Sequence, residues 1–152
     1  SGVDKLRYTE AVATEAMRLK PVGPLQALQA LCDLRIGELH LPAGTIIVSP
    51  VRDGALREQL FPQAHKFLPE RWLNGDAKAI DDTRRAIFPF GGGPRYCPGR
   101  YLAMVEIKLV VSMLFRNFAP RLTADPATIG EHYHLTMGPD TLPMALEQRS
   151  PA

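Results

Sequence analysis

The sequence predicts an α+β fold in which short antiparallel strands and irregular loops accompany two main helices. Apolar residues recur at helical spacing near the N-terminus and again over residues 100–118, whereas stretches between and after them alternate as strands do. The 12 glycines and 14 prolines predict many turns. A chain of 152 residues, 45% of them hydrophobic, fits one globular unit over residues 1–152.

Charge and composition exclude several classes of function. The formal net charge is only +2, which gives no case for nucleic acid or an anionic membrane as a partner. No apolar run approaches the roughly 20 residues of a membrane span, and no basic-then-apolar signal peptide opens the chain. The two cysteines, Cys32 and Cys97, are too few for a disulfide framework or a four-thiolate zinc site. We therefore expect reduced thiols and a cytoplasmic location.

The first helix is predicted over residues 9–19. Val12, Ala16 and Leu19 fall on one helical face. Thr9 is of a residue type that caps helix starts, and two prolines follow the last turn. The pattern therefore predicts a half-buried helix that ends before residue 21.

Residues 32–51 are predicted to form short antiparallel strands. Apolar residues alternate with polar ones over 34–41, a Pro-Ala-Gly turn follows, and 45–48 is a β-branched run. Residues 26–31 are ambiguous between strand and helix. Cys32 has no reactive surroundings and is interpreted as a core residue of a strand.

The rest of the chain contains one long helix and one predicted hairpin. Residues 53–60 fit a short helix, and 61–87 have no sustained period, which is unusual unless the stretch is functional. Residues 100–118 predict a long helix that is apolar on most faces and hence buried. Residues 133–146 alternate on both sides of a Gly-Pro-Asp turn at 138–140, which predicts a β-hairpin.

The most informative segment is residues 90–100, Phe-Gly-Gly-Gly-Pro-Arg-Tyr-Cys-Pro-Gly-Arg. Pro98 suits the first helical position, so Cys97 is predicted as the N-cap, where free amides and the helix dipole favour a thiolate. Arg95 and Arg100 add positive charge, and the glycines permit tight backbone. Such a loop can lie flat against a large planar ligand and direct one sulfur at it. The alternative for an isolated cysteine is a buried structural thiol.

A second candidate feature is an ion pair on the first helix. Glu15 and Arg18 are three residues apart and can touch, and Glu15 lies at the edge of the apolar face. A buried pair needs further hydrogen bonds, and Arg71 is a candidate to supply them. By itself such a pair is more often a solvated surface pair.

These three features, in this order, resemble the C-terminal portion of a cytochrome P450, a haem-thiolate monooxygenase. The matching stretches are Glu-Ala-Met-Arg at 15–18, Pro-Glu-Arg-Trp at 69–72 and the cysteine loop, which meets every fixed position of Phe-x-x-Gly-x-Arg-x-Cys-x-Gly. The resemblance runs from Tyr8 to about Leu146. It implies that residues 1–152 are one C-terminal fragment of a cytochrome P450 domain.

The resemblance implies a haem b site formed by Cys97, Arg95, Phe90, Gly91 and Gly99. Cys97 matches the axial thiolate of the iron, which favours O–O cleavage. Arg95 matches the arginine that pairs with a haem propionate, and Phe90 matches the aromatic residue beside the sulfur. Gly99 matches a position where a missing side chain lets loop and helix approach.

Further roles follow from the same resemblance. Glu15, Arg18 and Arg71 match a structural triad that holds the cysteine loop in place. The segment 22–25 and the tip of the C-terminal hairpin match parts that contact substrate. The residues on this substrate side are Val22, Gly23, Leu25, Leu135, Thr136 and Met137.

The implied activity is insertion of one atom of O2 into a small apolar organic substrate, with electrons from a flavin reductase or a ferredoxin. Val51 departs from the family's usual residue before Arg-Asp, and Trp72 replaces the commoner Phe. The family's central helix, which delivers protons to oxygen, has no match here. We therefore expect no catalytic residue beyond the iron ligand and no competence of this chain alone.

Two alternatives stay open at the level of the sequence. One is a stand-alone or degenerate haem-binding module without turnover. The other is a structural fragment that self-associates through exposed apolar surface. The sequence also leaves open a membrane anchor upstream of the matched region.

Overall fold

The computed structural model describes residues 2–134 and 136–150 and confirms the α+β class. Leu135, predicted on the substrate side, lies outside the described residues. The helices are α1 (Arg7–Leu19), α2 (Val51–Ala55), α3 (Ala77–Arg85) and α4 (Arg100–Asn117). The strands are β1 (Leu25–Gln29), β2 (Leu34–Ile36), β3 (Leu39–Leu41), β4 (Ile46–Pro50), β5 (Phe118–Leu122), β6 (Glu131–Tyr133), β7 (Met137–Pro139) and β8 (Met144–Gln148).

Helix α1 begins earlier than the sequence predicts. A 3-10 turn over Gly2–Lys5 leads directly into it, and the residue at the N-cap position is Leu6, which makes no side-chain capping bond. The Glu10 N–H donates to the Leu6 carbonyl at 3.0 Å, so Thr9 lies inside the helix and its prediction as a cap is wrong. The C-terminal end, before Pro21, agrees with the prediction.

The strands form four antiparallel two-stranded ladders within the described ranges: β1–β4, β2–β3, β5–β8 and β6–β7. The β2–β3 hairpin lies where alternation predicts it, and most of the ambiguous stretch 26–31 is strand β1. The predicted hairpin turn at 138–140 is wrong, because residues 137–139 form β7 and pair with β6. The second alternating run, β8, instead pairs with β5, which follows α4 directly.

Two helical segments differ from the prediction. Helix α2 covers Val51–Ala55 instead of 53–60, and turns follow it. Helix α3 covers Ala77–Arg85, in the stretch predicted to be irregular. Its apolar residues all lie in the first four of its 9 positions, so no apolar spacing repeats over more than one turn, which explains why the sequence did not indicate it.

The largest buried cluster packs under α1, between that helix and the segment that follows α2. It consists of Ala11, Ala55, Phe61, Ala64, Trp72 and Ile87. Cys32 is exposed between β1 and β2, so its prediction as a core residue is wrong. The buried cluster therefore lies beneath the Glu15–Arg18 pair and reaches residue 87, three positions before the cysteine loop.

The prediction that α4 is buried is wrong for this chain. Lys108 is its one buried residue in the described structure, whereas Tyr101 is 74% exposed and Leu102 and Val110 are similarly open. One side of α4 packs on α1, and its other apolar faces lie open. Among the residues that the structure describes, no helix has both the length and the apolar character to cross a membrane.

Candidate functional site

The cysteine loop is closed by its own backbone. The Cys97 N–H donates to the Phe90 carbonyl at 2.9 Å, and the Tyr96 N–H donates to the Gly93 carbonyl at 3.1 Å. Gly91 and Gly93 adopt φ of 75° and 57°, a region that disfavours side chains. The glycines are therefore required by the path of the loop.

Cys97 lies just before α4 but is not its N-cap. The N-cap residue is Gly99, whose carbonyl accepts from the Ala103 N–H at 2.9 Å, because Pro98 and Gly99 form a turn. The Cys97 side chain is exposed. A Cβ added at Gly99 would lie 3.7 Å from the Cys97 sulfur, so the glycine keeps one side of that sulfur free of a neighbouring side chain.

Arg95 and strand β1 line one side of the loop. Arg95 is exposed and borders a cavity of about 480 Å³ together with residues 27–29 and Leu31. The Gln26 side-chain amide donates to the Phe88 carbonyl at 3.3 Å, which links β1 to the start of the loop. The structure thus places a cation and apolar strand residues beside the segment that carries the exposed thiol.

Glu15 is the centre of a buried polar cluster. Its carboxylate accepts two hydrogen bonds from Arg18, both at 2.9 Å, and one from the Arg71 Nε at 3.1 Å. The Leu68 N–H and the Trp72 indole N–H also donate to it, each at 2.9 Å. The side chains of Glu15 and Arg18 are 0% exposed and that of Arg71 is 12% exposed. We call these three residues the clamp.

Arg18 connects the clamp to the loop that follows α2. Its Nη1 donates to the carbonyls of Ala55 and Ala64, both at 2.7 Å, and its Nη2 donates to the Lys66 carbonyl at 3.1 Å. The guanidinium also lies 5.2 Å from the centre of the Phe61 ring. The backbone carbonyls that accept from Arg18 and the Trp72 indole that donates to Glu15 lie 37 to 57 positions away along the chain. Because local spacing gives no information about such distant neighbours, the sequence does not predict these contacts.

A second ion pair joins α1 to α4. Glu10 contacts the Lys108 ammonium at 2.5 Å and Arg84 at 3.2 Å, at the edge of a cavity of about 750 Å³ between α1, α4 and the cysteine loop. Lys108 is the one buried residue of α4 within the described part of the chain. Sequence reasoning missed this pair because its members lie on different elements.

The pKa values of the buried Glu15 and the half-buried Glu10 are both lowered. Burial opposes ionisation of Glu15, but the hydrogen bonds from Arg18, Leu68 and Arg71 outweigh it and lower its pKa below the ordinary 4.5. Glu10 behaves alike: burial opposes ionisation, and Lys108, mainly, lowers its pKa. Both groups are therefore ionised in the folded chain at neutral pH.

A pH dependence of stability follows from these lowered pKa values. Because the folded pKa is the lower one, the ionised carboxylates stabilise the fold above pH 4.5, and this contribution is lost as pH falls through the folded pKa. We expect the melting temperature to fall steadily below that pH, as measured by circular dichroism. The melting temperature of the Glu15→Gln variant should fall less as the pH decreases. That of Glu38→Gln, a substitution at an exposed turn, should fall as much as that of the unsubstituted chain. Equal acid profiles for all three proteins would contradict the assignment to Glu15.

The substrate-side residues predicted by resemblance lie on two segments that the structure joins. The Met137 N–H donates to the Val22 carbonyl at 2.8 Å, which docks the β6–β7 hairpin on the segment after α1. Of the predicted residues with described side chains, Val22, Leu25 and Thr136 are exposed and Met137 is half-buried, and Gly23 lies in the first segment. Within the described structure they form an open surface.

Comparison with known proteins gives the family directly. The family model described as cytochrome P450 matches residues 1–142. The chain is 37% identical over 117 residues to probable cytochrome P450 312a1 of Drosophila melanogaster, covering 76% of this chain and 22% of that protein. It is 35% identical over 123 residues to cyclooctat-9-en-7-ol 5-monooxygenase of Streptomyces melanosporofaciens, covering 81% of this chain and 26% of that one.

Solved structures agree with the sequence relatives. The crystal structure of a cytochrome P450, CYP102L1, superposes with a TM-score of 0.83 and 28% identity over 97% of this chain and 33% of that one. The haem domain of a cytochrome P450DA mutant shares the fold with a TM-score of 0.85. The chain thus spans about a quarter of the curated relatives' length and a third of the solved chains. On these matches, and on the loop and clamp described above, the chain belongs to the cytochrome P450 family, whose cofactor is haem.

Proposed function

We propose that this chain binds haem b through the Cys97 thiolate, as one fragment of the haem-thiolate domain of a monooxygenase. The observation that carries the proposal is the exposed Cys97 thiol on a backbone-closed glycine loop, in a chain of this family. Arg95, Phe90, Gly91 and Gly99 are the other residues proposed for the cofactor. The experiment that tests it is the ferrous–CO spectrum described in the Discussion.

The residues present fit a large planar anionic cofactor with a central metal. A cysteine thiolate is a ligand of haem iron. The exposed guanidinium of Arg95 supplies a positive charge that can pair with a propionate group of haem. Three successive glycines leave the start of the loop without side chains that would hold a planar ring away. The apolar residues Leu28 and Leu31, beside Arg95, offer surface for the edge of the macrocycle.

When bound, haem supplies the activation of O2 that lets a monooxygenase insert one oxygen atom into an apolar substrate. The chain's own residues have narrower tasks. Cys97 supplies the thiolate, Arg95 neutralises a carboxylate, and Val22 and Leu25 provide apolar contacts for the substrate. Electrons are proposed to come from a flavin reductase or a ferredoxin, and the substrate is proposed to be small and apolar.

The clamp is proposed to position the cysteine loop from a distance. Its members bind the 55–72 region and do not themselves hydrogen-bond to residues 90–99 in the described contacts. Trp72, which donates to Glu15, packs in the same buried cluster as Ile87. A change in the clamp is therefore proposed to reach Ile87, three residues before Phe90, through packed side chains.

We expect no coupled hydroxylation by this chain alone. Oxygen activation needs a thiolate on one side of the iron and a proton-delivering polar group on the other. The substrate-side surface is mainly apolar, with Thr136 as its hydroxyl among the predicted residues, and it is open to water. Supplied with haem, a reductase, O2 and dodecanoic acid, the chain should give slow, unselective, peroxide-dependent oxidation. Regioselective product formed in proportion to the electrons consumed would contradict this prediction.

The exposed α4 face favours a second candidate function, a structural fragment that oligomerises. Tyr101, Leu102, Val110 and Met113 are all more than half exposed, an apolar surface of the kind that other protein covers. In the first proposal the rest of a cytochrome P450 domain covers this face, and in the second, further copies of the chain cover it. Titration with haem separates them, because only the first requires a saturable absorbance change.

A further inference from the structure

The base of the β6–β7 hairpin carries a carboxylate that two cations hold. Glu131, the first residue of β6, forms ion pairs with Lys20 and with Arg52, the latter at 3.0 Å. Lys20 directly follows α1, and Arg52 lies on α2, so the two cations come from different elements. One carboxylate thus joins three parts of the fold.

The two cations are themselves tied to the segment that Glu131 faces. The Val51 N–H, next to Arg52, donates to the Pro24 carbonyl at 2.8 Å, which fixes the start of α2 on the 22–25 segment. The Lys20 N–H donates to the Ala16 carbonyl at 2.8 Å at the end of α1. Lys20 and Arg52 therefore lie on backbone that is fixed by hydrogen bonds at either end of the 22–25 segment.

The hairpin is also docked near its tip. The hydrogen bond from the Met137 N–H to the Val22 carbonyl lies at the start of β7, next to Thr136 in sequence. Across the hairpin Tyr133 pairs with Met137, and Glu131 pairs with Pro139. The ion pairs at the base and the backbone bond near the tip thus set the hairpin's position over residues 22–25 together.

We propose that Glu131 is a positioning residue for the substrate side: held by Lys20 and Arg52, it fixes where Thr136 and β7 lie relative to the 22–25 segment and so which apolar ligands the site accepts. The claim about ligands depends on the proposed haem-binding function. The claim about position does not.

Isolated surface ion pairs contribute little to the stability of a whole fold. We therefore expect the ion pairs of Glu131 to affect the local opening of the hairpin. Two side chains of the cluster are partly covered, with Glu131 32% exposed and Arg52 35% exposed, whereas Lys20 is 59% exposed. Two pairs on one carboxylate should slow local opening of the hairpin by a factor of about five. The effect should weaken in high salt, because partly exposed charges are screened.

The first test measures amide hydrogen exchange of Met137 by NMR in the chain without haem. Glu131→Gln should speed that exchange about fivefold, the loss expected for two such pairs. The matched control is Glu147→Gln, which removes the exposed cross-strand pair with Arg121 on the β5–β8 ladder and should leave Met137 unchanged. The charge-swapped triple variant Glu131→Lys, Lys20→Glu, Arg52→Glu should restore slow exchange. Unchanged exchange in Glu131→Gln, or equal acceleration in the control, would overturn the positioning role.

The second test titrates the haem-loaded chain with dodecanoic acid and with naphthalene and follows the haem absorbance. Glu131→Gln should change the ratio of the two dissociation constants at least about threefold, with haem retained and the Glu147→Gln ratio unchanged. Faster Met137 exchange with an unchanged ratio would overturn the claim about ligand selection. Failure of every variant and of the parent chain to take up haem would instead refute the proposed function, while the exchange experiment would still decide the role of Glu131.

Discussion

Replacing Cys97 by serine is expected to abolish the red-shifted ferrous–CO absorption band of the haem-loaded chain completely. The shift arises because a thiolate donates electron density to the iron, and a serine hydroxyl at the same place supplies no such ligand. The loop should still close, because its bond to the Phe90 carbonyl comes from the backbone N–H of residue 97. The measurement is the CO difference spectrum of the reduced protein.

Cys32 provides the matched control for this experiment. It is the other cysteine of the chain and is also exposed, but it lies between β1 and β2, away from the glycine loop in sequence. Cys32→Ser should therefore keep the band at full intensity. A Cys97→Ser protein that retained the band, or a Cys32→Ser protein that lost it, would show that the ligand is assigned to the wrong sulfur.

Local chemistry explains what could be predicted from the sequence. The glycine loop and the short strands depend on neighbouring residues, so their patterns identify them, and β2 and β3 lie where alternation predicts them. The N-cap was misplaced because Pro98 is compatible with a turn as well as with a first helical position. Whether Pro98 lies in a turn or at the first position of the helix depends on how Gly99 and Arg100 pack against the rest of the loop.

Other features depend on partners distant in sequence. The apolar faces of α4 indicate burial, but periodicity does not tell whether the covering protein is present, and here these faces are open. The Trp72 and Leu68 donors to Glu15, and the two cations on Glu131, become neighbours only when the chain folds. The C-terminal hairpin is predicted with the wrong strand partners because 133–137 and 142–146 both alternate, and alternation does not show that the second run pairs with β5.

The clamp should give the largest change in stability. In Glu15→Ala the Arg18 guanidinium, 0% exposed, keeps its carbonyl partners but loses its counter-charge. Breaking a buried pair in this way costs about 3–5 kcal/mol of unfolding free energy, a large share of what a domain has. Chemical denaturation followed by tryptophan fluorescence measures it, because Trp72 is the single tryptophan and donates to Glu15. Haem retention should fall in parallel with folding.

Arg71→Ala separates the clamp from a general weakness of the fold. Glu15 would keep two bonds from Arg18 and those from Leu68 and Trp72. Arg71→Ala would remove the bond to Glu15 and two exposed bonds to the Pro62 and Gln63 carbonyls, so we expect a smaller loss of about 1.5–3 kcal/mol, set mainly by the hydrogen bond to the charge. Glu147→Ala, which breaks an ion pair with both side chains about two-thirds exposed, should cost less than about 1 kcal/mol. If Glu15→Ala does not fold at all, the comparison of Arg71→Ala with Glu147→Ala still decides the matter. Equal denaturation midpoints for these two variants would mean that Arg71 contributes no more than an ordinary surface charge, and would contradict its assignment to the clamp.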